Sequence, residues 1–394
     1  MSNTILTHQM IAREAAAMLV EEDNLIPNIN TGYDGEIAAT PNGYKKGGTV
    51  KIGIPPVPVV WTGSTFQDND VAESYVNLTL NQQYGAGLKF TAVEKALSLS
   101  QFKERFLRPA MNSVRTQVRA ALLQSMMYGA SQAVGTSGTL ATTRKTYAQA
   151  GAALDRALAP SDQRTILLSS DAALNLQDTN AALFNPSAEI TKEFKTGKLG
   201  MYSGFDFYTD QALPVLGAGA GTGYKAGTVA AGNLLAVTTG TGAISKGQIL
   251  TIAGVFAVHP ITGVSNGQLR QFVVTADYAG GAGNVSVYPA ITPTSASVIG
   301  TVNALPASGA NITLFDAVSG SARQDLAFHK NAFVAAFAPL PVLASTEGYT
   351  ATAGNVSVRV ATGGDFINDI ERTRVDVLFG SAVIRGDHIV RITE

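Results

Sequence analysis

The sequence predicts an α+β chain built on one long helix, with an all-β domain inserted into its second half. Three observations carry this. Residues 98–132 hold a sustained 3.6-residue apolar period. Residues 225–315 lose every helical period and become rich in Val, Thr, Gly and Ala. Alternating strands return near the end, around Val356–Val360, Val375–Phe379 and Val383–Ile392. At 394 residues the chain is long enough for two or three domains and a large core.

The helix comes first because the rest is laid around it. Leu107, Met111, Val114, Val118 and Ala121 recur at three-four spacing, with Leu122 and Met126 beside them. Arg108, Asn112, Arg115 and Arg119 keep the same spacing one residue on and form a neighbouring polar stripe. Ser98 or Ser100 can cap the start and Gly129 can end it. Pro109 disfavours helix at Arg108, so either a kink falls there or a short helix is followed by a long one from Pro109. From Pro109 to Gly129 the helix would be about 30 Å long. One apolar side on such a length predicts a spine with other elements across it.

In chain order, residues 4–22 read as a helix with a loose apolar face of Ile5, Met10, Ala12, Ala16, Leu19 and Val20. Glu21, Glu22 and Asp23 stand at its unfavourable C-terminal pole, which predicts an exposed arm stabilised by a partner. Residues 25–45 are Asn/Gly-rich and irregular. Residues 46–97 form a long two-stranded ribbon with a polar tip, Val76, Leu78 and Leu80 sharing one face. Such a ribbon is marginal alone in water and must lie on something else. After the spine, 146–160 is an amphipathic helix, 164–170 a buried strand, and SDAALNLQD opens a short helix. Residues 183–207 are loop and strand, and 211–224 a Gly-rich hinge. In the insert, strands are expected at 233–238, 248–252, 270–276, 284–288 and 311–315. AFHKNAFVAAFAPLP then returns to apolar, Pro-punctuated packing.

Composition excludes several classes. Charged residues make up 14% of the chain, against about 25% for ordinary soluble proteins. Low charge with many Gly and Ala predicts that much of the surface meets other protein. The net charge is −1, without the Lys/Arg clusters that tight phosphate binding needs. There is no Cys, hence no disulfide framework or thiolate metal site. No basic start with an apolar run marks a secretory leader. The longest apolar run, Ala332–Ala344, is broken by Pro339 and Pro341, so no membrane span is expected.

The chemistry-bearing residues favour no enzyme. His8, His259, His329 and His388 are scattered without ligand spacing. Gly217, Gly219, Gly221 and Gly223 lack the GxGxxG register with a following helix, and a hinge is the better reading. No Walker A or GxSxG pattern occurs. Asp68, Asp70 and Glu73 are too few to hold calcium without a central Gly, so a solvated tip, or one meeting basic groups on a neighbour, is favoured. Arg108, Arg115 and Arg119 are expected to pair with carboxylates across subunits rather than to grip DNA. Trp61 is the one Trp, and a lone ribbon cannot bury it, so an adjacent subunit or the body beneath is expected to cover it. These seven residues are the candidate interface residues. No catalytic residue, cofactor or metal is expected.

The order of these elements resembles tailed-bacteriophage major capsid (coat) proteins of the podovirus type with an inserted β domain. LAFHKNAFVAAFAPLP (326–341) is similar to a recurring segment of coat proteins that carry an insert. TRVDVLFGSAVIRGDHIVRI (373–392) resembles their C-terminal strand pair, and KGQILTIAGVFAVHPITGVSNGQLRQFVV (246–274) the opening of the inserted domain. The resemblance implies an N-terminal arm over 1–45, an extended loop over 46–97, and a peripheral domain over 98–170 completed by strands in 346–394. It implies an axial domain from 171–224 and 316–345, and an inserted β domain over 225–315. It also implies pentamers and hexamers closing into an icosahedral head around double-stranded DNA. A scaffolding protein and a portal would assist in the host bacterial cytoplasm. Two alternatives stay open: a nanocompartment shell of the same fold, and a β-rich carbohydrate-binding or enzyme module on an αβ body.

Overall fold

The structure is a computed structural model, and it describes residues 8–21, 24–32, 47–55, 64, 74–91, 103–141, 143–181, 201–295, 300–365 and 370–394. Its first elements are helix α1 (His8–Glu21), strands β1 (Thr49–Ile54), β2 (Ser74–Thr79) and β3 (Gln82–Thr91), and the spine helix α2 (Arg108–Gly129). Then come β4 (Gln132–Gly135), α3 (Arg144–Arg156), β5 (Arg164–Leu168), α4 (Ser170–Ala181), β6 (Met201–Tyr202), β7 (Phe205–Thr209) and β8 (Val215–Gly217). The insert holds β9 (Thr222–Ala226), β10 (Gly232–Thr241), β11 (Ile249–Val258), β12 (Ser265–Val274), β13 (Gly283–Ile291) and β14 (Ile312–Leu314). The chain ends with β15 (Ser321–His329), β16 (Phe333–Ala338), β17 (Glu347–Ala353), β18 (Val356–Asp365), β19 (Ile370–Val383) and β20 (Ile389–Thr393). The α+β expectation is borne out.

The spine behaves as its period requires. Leu107, Met111, Val114, Val118, Leu122 and Met126 are buried, while Ala121 is half-buried. A π-helical turn, Lys103–Leu107, precedes α2. The change of winding falls just before Pro109, which sits in the first turn, where its missing N–H needs no partner. At Gly129 a Cβ would run into Val383, so only glycine fits the last helical position.

The chain divides into two compact units. The first comprises Met1–Gly53, Tyr75–Leu122 and Phe333–Ala382. Its main sheet runs β16-β19-β18-β17, with β3 also paired to β19. Val356, Val358, Val360, Val375, Val377 and Phe379 are wholly buried, as their alternation predicts. Helix α1 packs on β17 and β18 through Ile11, Ala12, Ala15, Ala16 and Leu19. That corrects the expectation of an exposed arm: the small Ala residues let α1 settle on its own unit. The extended stretch also differs from a single ribbon. β1 pairs with β2, but β3 runs instead along β19, with Gln82 opposite Phe379 and Thr91 opposite Ile370. Strand β16 occupies what reads in sequence as Pro-punctuated packing, because Pro339 and Pro341 fall just after it.

The second unit comprises Ile54–Ser74, Leu123–Ala332 and Val383–Glu394. One sheet runs β4-β20-β15-β5-β7-β6, with β8 paired to β15. The β20–β4 and β5–β7 pairs are parallel. Helices α3 and α4 close over it on a core that includes Tyr147, Leu154, Leu176, Phe205, Phe207 and Val390. The other sheet, β14-β11-β12-β13-β10-β9, wraps a separate core around Tyr224, Leu235, Phe272, Val287 and Val302. The Gly-rich stretch 211–224 is more than a hinge, since it contains β8 and the start of β9. Chain entry and exit lie side by side, Ala218 N–H bonding Gly320 C=O at 2.8 Å and Ser319 N–H bonding Gly219 C=O at 3.0 Å.

Candidate functional site

The seven interface candidates fall in two groups. Trp61, Asp68, Asp70 and Glu73 lie outside the described residues. Arg108 is exposed and stands 3.6 Å from Glu104, one turn back. Arg115 and Arg119 are half-buried along the same side of α2. The structure therefore neither gathers these seven nor separates them.

What it does gather is a polar root beneath the insert, inside the second unit. Arg270 on β12 reaches Asp387 in the turn before β20, at 2.8 and 2.7 Å from its two oxygens. The Ser131 hydroxyl donates to the same carboxylate, and the Gln132 amide to the Asp387 carbonyl at 2.7 Å. Burial acts to raise the Asp387 carboxyl, but Arg270 and Ser131 outweigh it and hold it below the usual range. Next door, the Gln271 side chain accepts from Ala133 N–H at 2.8 Å and donates to Ala133 C=O at 3.0 Å. β4 is the edge of its sheet, so this amide occupies groups that would otherwise stand open.

A second tie runs deeper. Arg391 on β20 is fully buried, donates to Gly247 C=O at 2.7 Å and lies 3.8 Å from Asp316. Burial lowers the Arg391 pKa and raises that of Asp316, each partly offset by the other's charge. The contact is completed by Ala133, Ile249 and Val273, with Tyr288 and Phe315 against them. Burial pushes the Tyr288 phenol up to about 12, and it accepts from Gly386 N–H at 3.3 Å. A cleft of about 370 Å³ lies between β4, α3 and the β11–β12 hairpin beside this root.

Two further clusters are built on the buried carboxylates Asp325 and Asp376. Ser169 donates its N–H to Asp325 at 2.8 Å and its hydroxyl to Glu394 at 2.8 Å. Burial, then the Glu394 carboxylate, hold Asp325 well above the ordinary carboxylate range. In the first unit, Asp376 accepts from Arg359 at 2.9 and 2.6 Å, from Arg374 at 2.7 Å and from Gln83 at 2.6 Å. At Gly85 a Cβ would lie 2.7 Å from that of Asp376, which is why glycine stands opposite it.

The fold also brings together two histidines that the sequence scatters. The rings of His329 and His388 lie 6.4 Å apart. Burial pushes both imidazoles toward the neutral form, and His388 Nε2 sits 3.1 Å from Ala157 C=O. Among the described residues no group of three or more His, Cys, Asp or Glu could hold a metal. No described helix is long and apolar enough to cross a membrane.

Residues 231–390, less than half of the chain, match the family described as P22 coat protein, gene protein 5. The matched span contains 246–274 and 326–341 whole, and 373–392 up to its last two residues. It bears out the resemblance to tailed-phage major capsid (coat) proteins. Over that span the chain is similar to a coat protein. A search of curated proteins finds no match. Among solved structures, the chain is similar to one from Mycobacterium phage Che8, with TM-score 0.49 and 12% identity, covering 93% of this chain and 89% of that one. It is also similar to the capsid of the cyanophage P-SCSP1u, with TM-score 0.43 and 13% identity over 89% and 84% of the two chains. A virus-like particle from Pyrococcus furiosus shows TM-score 0.41 and 7% identity over 98% of each chain. All three likenesses are distant.

Proposed function

We propose that copies of this chain assemble as pentamers and hexamers into an icosahedral phage head around double-stranded DNA. The observation that carries the reading is the coat-protein match over residues 231–390, which takes in most of the insert and the strands that follow it. In this reading the insert occupies 225–315, and 171–224 with 316–345 form the axial domain at the ring centre. The spine and the returning strands form the peripheral domain, 98–170 and 346–394. Residues 46–97 are the extended loop that overlaps a neighbouring subunit, and 1–45 the arm. Trp61, Asp68, Asp70, Glu73, Arg108, Arg115 and Arg119 act at subunit contacts, without catalysis. A scaffolding protein and a portal assist assembly in the host cytoplasm, and DNA is held without sequence readout. The test is the content of purified particles: nuclease-protected double-stranded DNA supports a phage head, and protein cargo without nucleic acid overturns it in favour of a nanocompartment.

A further inference from the structure

We propose that Asn266 is a self-modification site: in the folded chain the Gly267 backbone nitrogen attacks its side-chain amide, which is converted to a carboxylate with release of ammonia.

Asn266 stands in β12 where the strand leaves its ladder. Ser265 pairs with Val258 and Leu269 with Phe256, so Asn266, Gly267 and Gln268 stand against Ala257 alone. Such a bulge takes backbone groups out of the ladder and leaves them to other contacts. Ser265, Asn266, Gly267, Gln268 and Leu269 are all exposed, so water reaches the site. Gly267 holds φ +75°, and a Cβ there would meet nothing within 4 Å. Its nitrogen is therefore open on the side that a side chain would cover. By contrast, Asn284, Asn311 and Asn355 are followed by Val285, Ile312 and Val356, whose branched side chains crowd the next nitrogen.

Two hydrogen bonds favour the reaction. Gln268 N–H donates to Asn266 Oδ1 at 3.1 Å. It polarises the side-chain carbonyl and stabilises the negative charge that gathers on this oxygen as Cγ is attacked. Gly267 N–H donates to the Ser265 hydroxyl oxygen at 3.3 Å, which places an acceptor where the nitrogen must lose its proton. The Gly267 nitrogen bonds to Asn266 Cγ, the Cγ–Nδ2 bond breaks, and ammonia leaves with the Gly267 proton. The product is a cyclic succinimide, which water opens at either carbonyl. Breaking the new Cγ–N bond gives aspartate. Breaking the original peptide C–N bond gives isoaspartate, whose chain runs on through Cγ. The sum is amide plus water to acid plus ammonia, with nothing oxidised or reduced.

The product alters a defined place. Asn266 lines the cleft beside β4 together with Arg156, Gln268 and Arg270. The reaction puts a new negative charge there, and the isoaspartate form also lengthens the backbone of the bulge.

The test ages unassembled full-length subunits in mildly alkaline buffer and maps their tryptic peptides by mass against an unaged control. Cleavage after Lys246 and Arg270 yields residues 247–270, in which Asn266 is the one Asn. This peptide should gain the mass of acid for amide and resolve into aspartate and isoaspartate forms, ahead of peptides holding Asn284, Asn311 or Asn355. Ser265→Ala should slow the conversion severalfold in subunits and leave it unchanged in a synthetic peptide of residues 247–270. Ser265→Thr, which keeps the acceptor, should convert like the wild type. Unaltered melting of both variants shows that the fold survives. If Asn266 keeps its amide in folded subunits while the synthetic peptide converts, the fold protects the site and the proposal falls. It falls too if Ser265→Ala slows neither sample or slows both alike, which would make the reaction a property of the Asn–Gly pair and not of the bulge.

Discussion

Arg270 and Asp387 are joined across the root of the insert, one terminal guanidinium nitrogen donating to both carboxylate oxygens at 2.8 and 2.7 Å. The two residues are 117 positions apart in sequence, so this contact closes a long loop. Their side chains are 14% and 29% exposed, so water screens the pair only in part. Arg270→Ala should lower stability by about 2 kcal/mol, the scale of a lost charged hydrogen bond. Denaturant midpoints measure this, and a double-mutant cycle with Asp387→Ala should show coupling between the two sites.

Arg391 and Asp316 make a different kind of pair. Their side chains are 0% and 2% exposed, yet they stand 3.8 Å apart, so both carry the burial penalty with modest attraction in return. Arg391→Met alone should destabilise by about 3 kcal/mol, since it leaves the buried carboxyl without its counter-charge and with the Ile249 N–H, at 3.4 Å, to answer it. Arg391→Met combined with Asp316→Leu should recover most of that loss. Thermal melting of the three variants checks the order.

Asp325 sets a pH dependence whose sign follows from its surroundings. Its carboxyl is raised by burial, then by Glu394, so the folded chain holds the proton more tightly than the unfolded one. Its contribution to stability is therefore full below the ordinary carboxylate pKa and is lost as pH rises through the raised one. Asp387, held low, acts in the opposite sense and loses its contribution as pH falls. Asp325→Asn keeps an acceptor for Ser169 N–H and should remove the loss on the alkaline side. Melting temperature against pH, wild type beside variant, reads it directly; identical slopes would show that Asp325 is not the titrating group.

The insert has its own core and adjacent ends, so it should fold alone when cut correctly. A segment of residues 218–320 keeps β9 whole and should give a β-type spectrum with a cooperative melt. A segment of 225–315 loses Thr222–Tyr224, including Tyr224, which is buried at 2% exposure. That shorter piece should melt lower, and circular dichroism distinguishes the two.

Much of the fold was legible in the sequence because period is a local property. The spine stripe and the valine alternations of β18 and β19 each announce a buried face through spacing alone. The root of the insert was not legible, because it depends on pairings between residues far apart in the chain. Yet a signal was present. Arg359 stands between Val358 and Val360, Asp376 between Val375 and Val377, and Arg391 between Val390 and Ile392. A charge inside such a strand needs a buried partner, and each of these has one. The split of the extended stretch was hidden for another reason: β2 and β3 read as one alternating run, and only Leu80 and Asn81 separate their two pairings.

Electron microscopy of the purified, full-length protein tests the central claim most directly. Closed shells of uniform size are expected, with faces that resolve into rings of five and six subunits. Fields of monomers or small oligomers only, under every salt and scaffold condition tried, would contradict it.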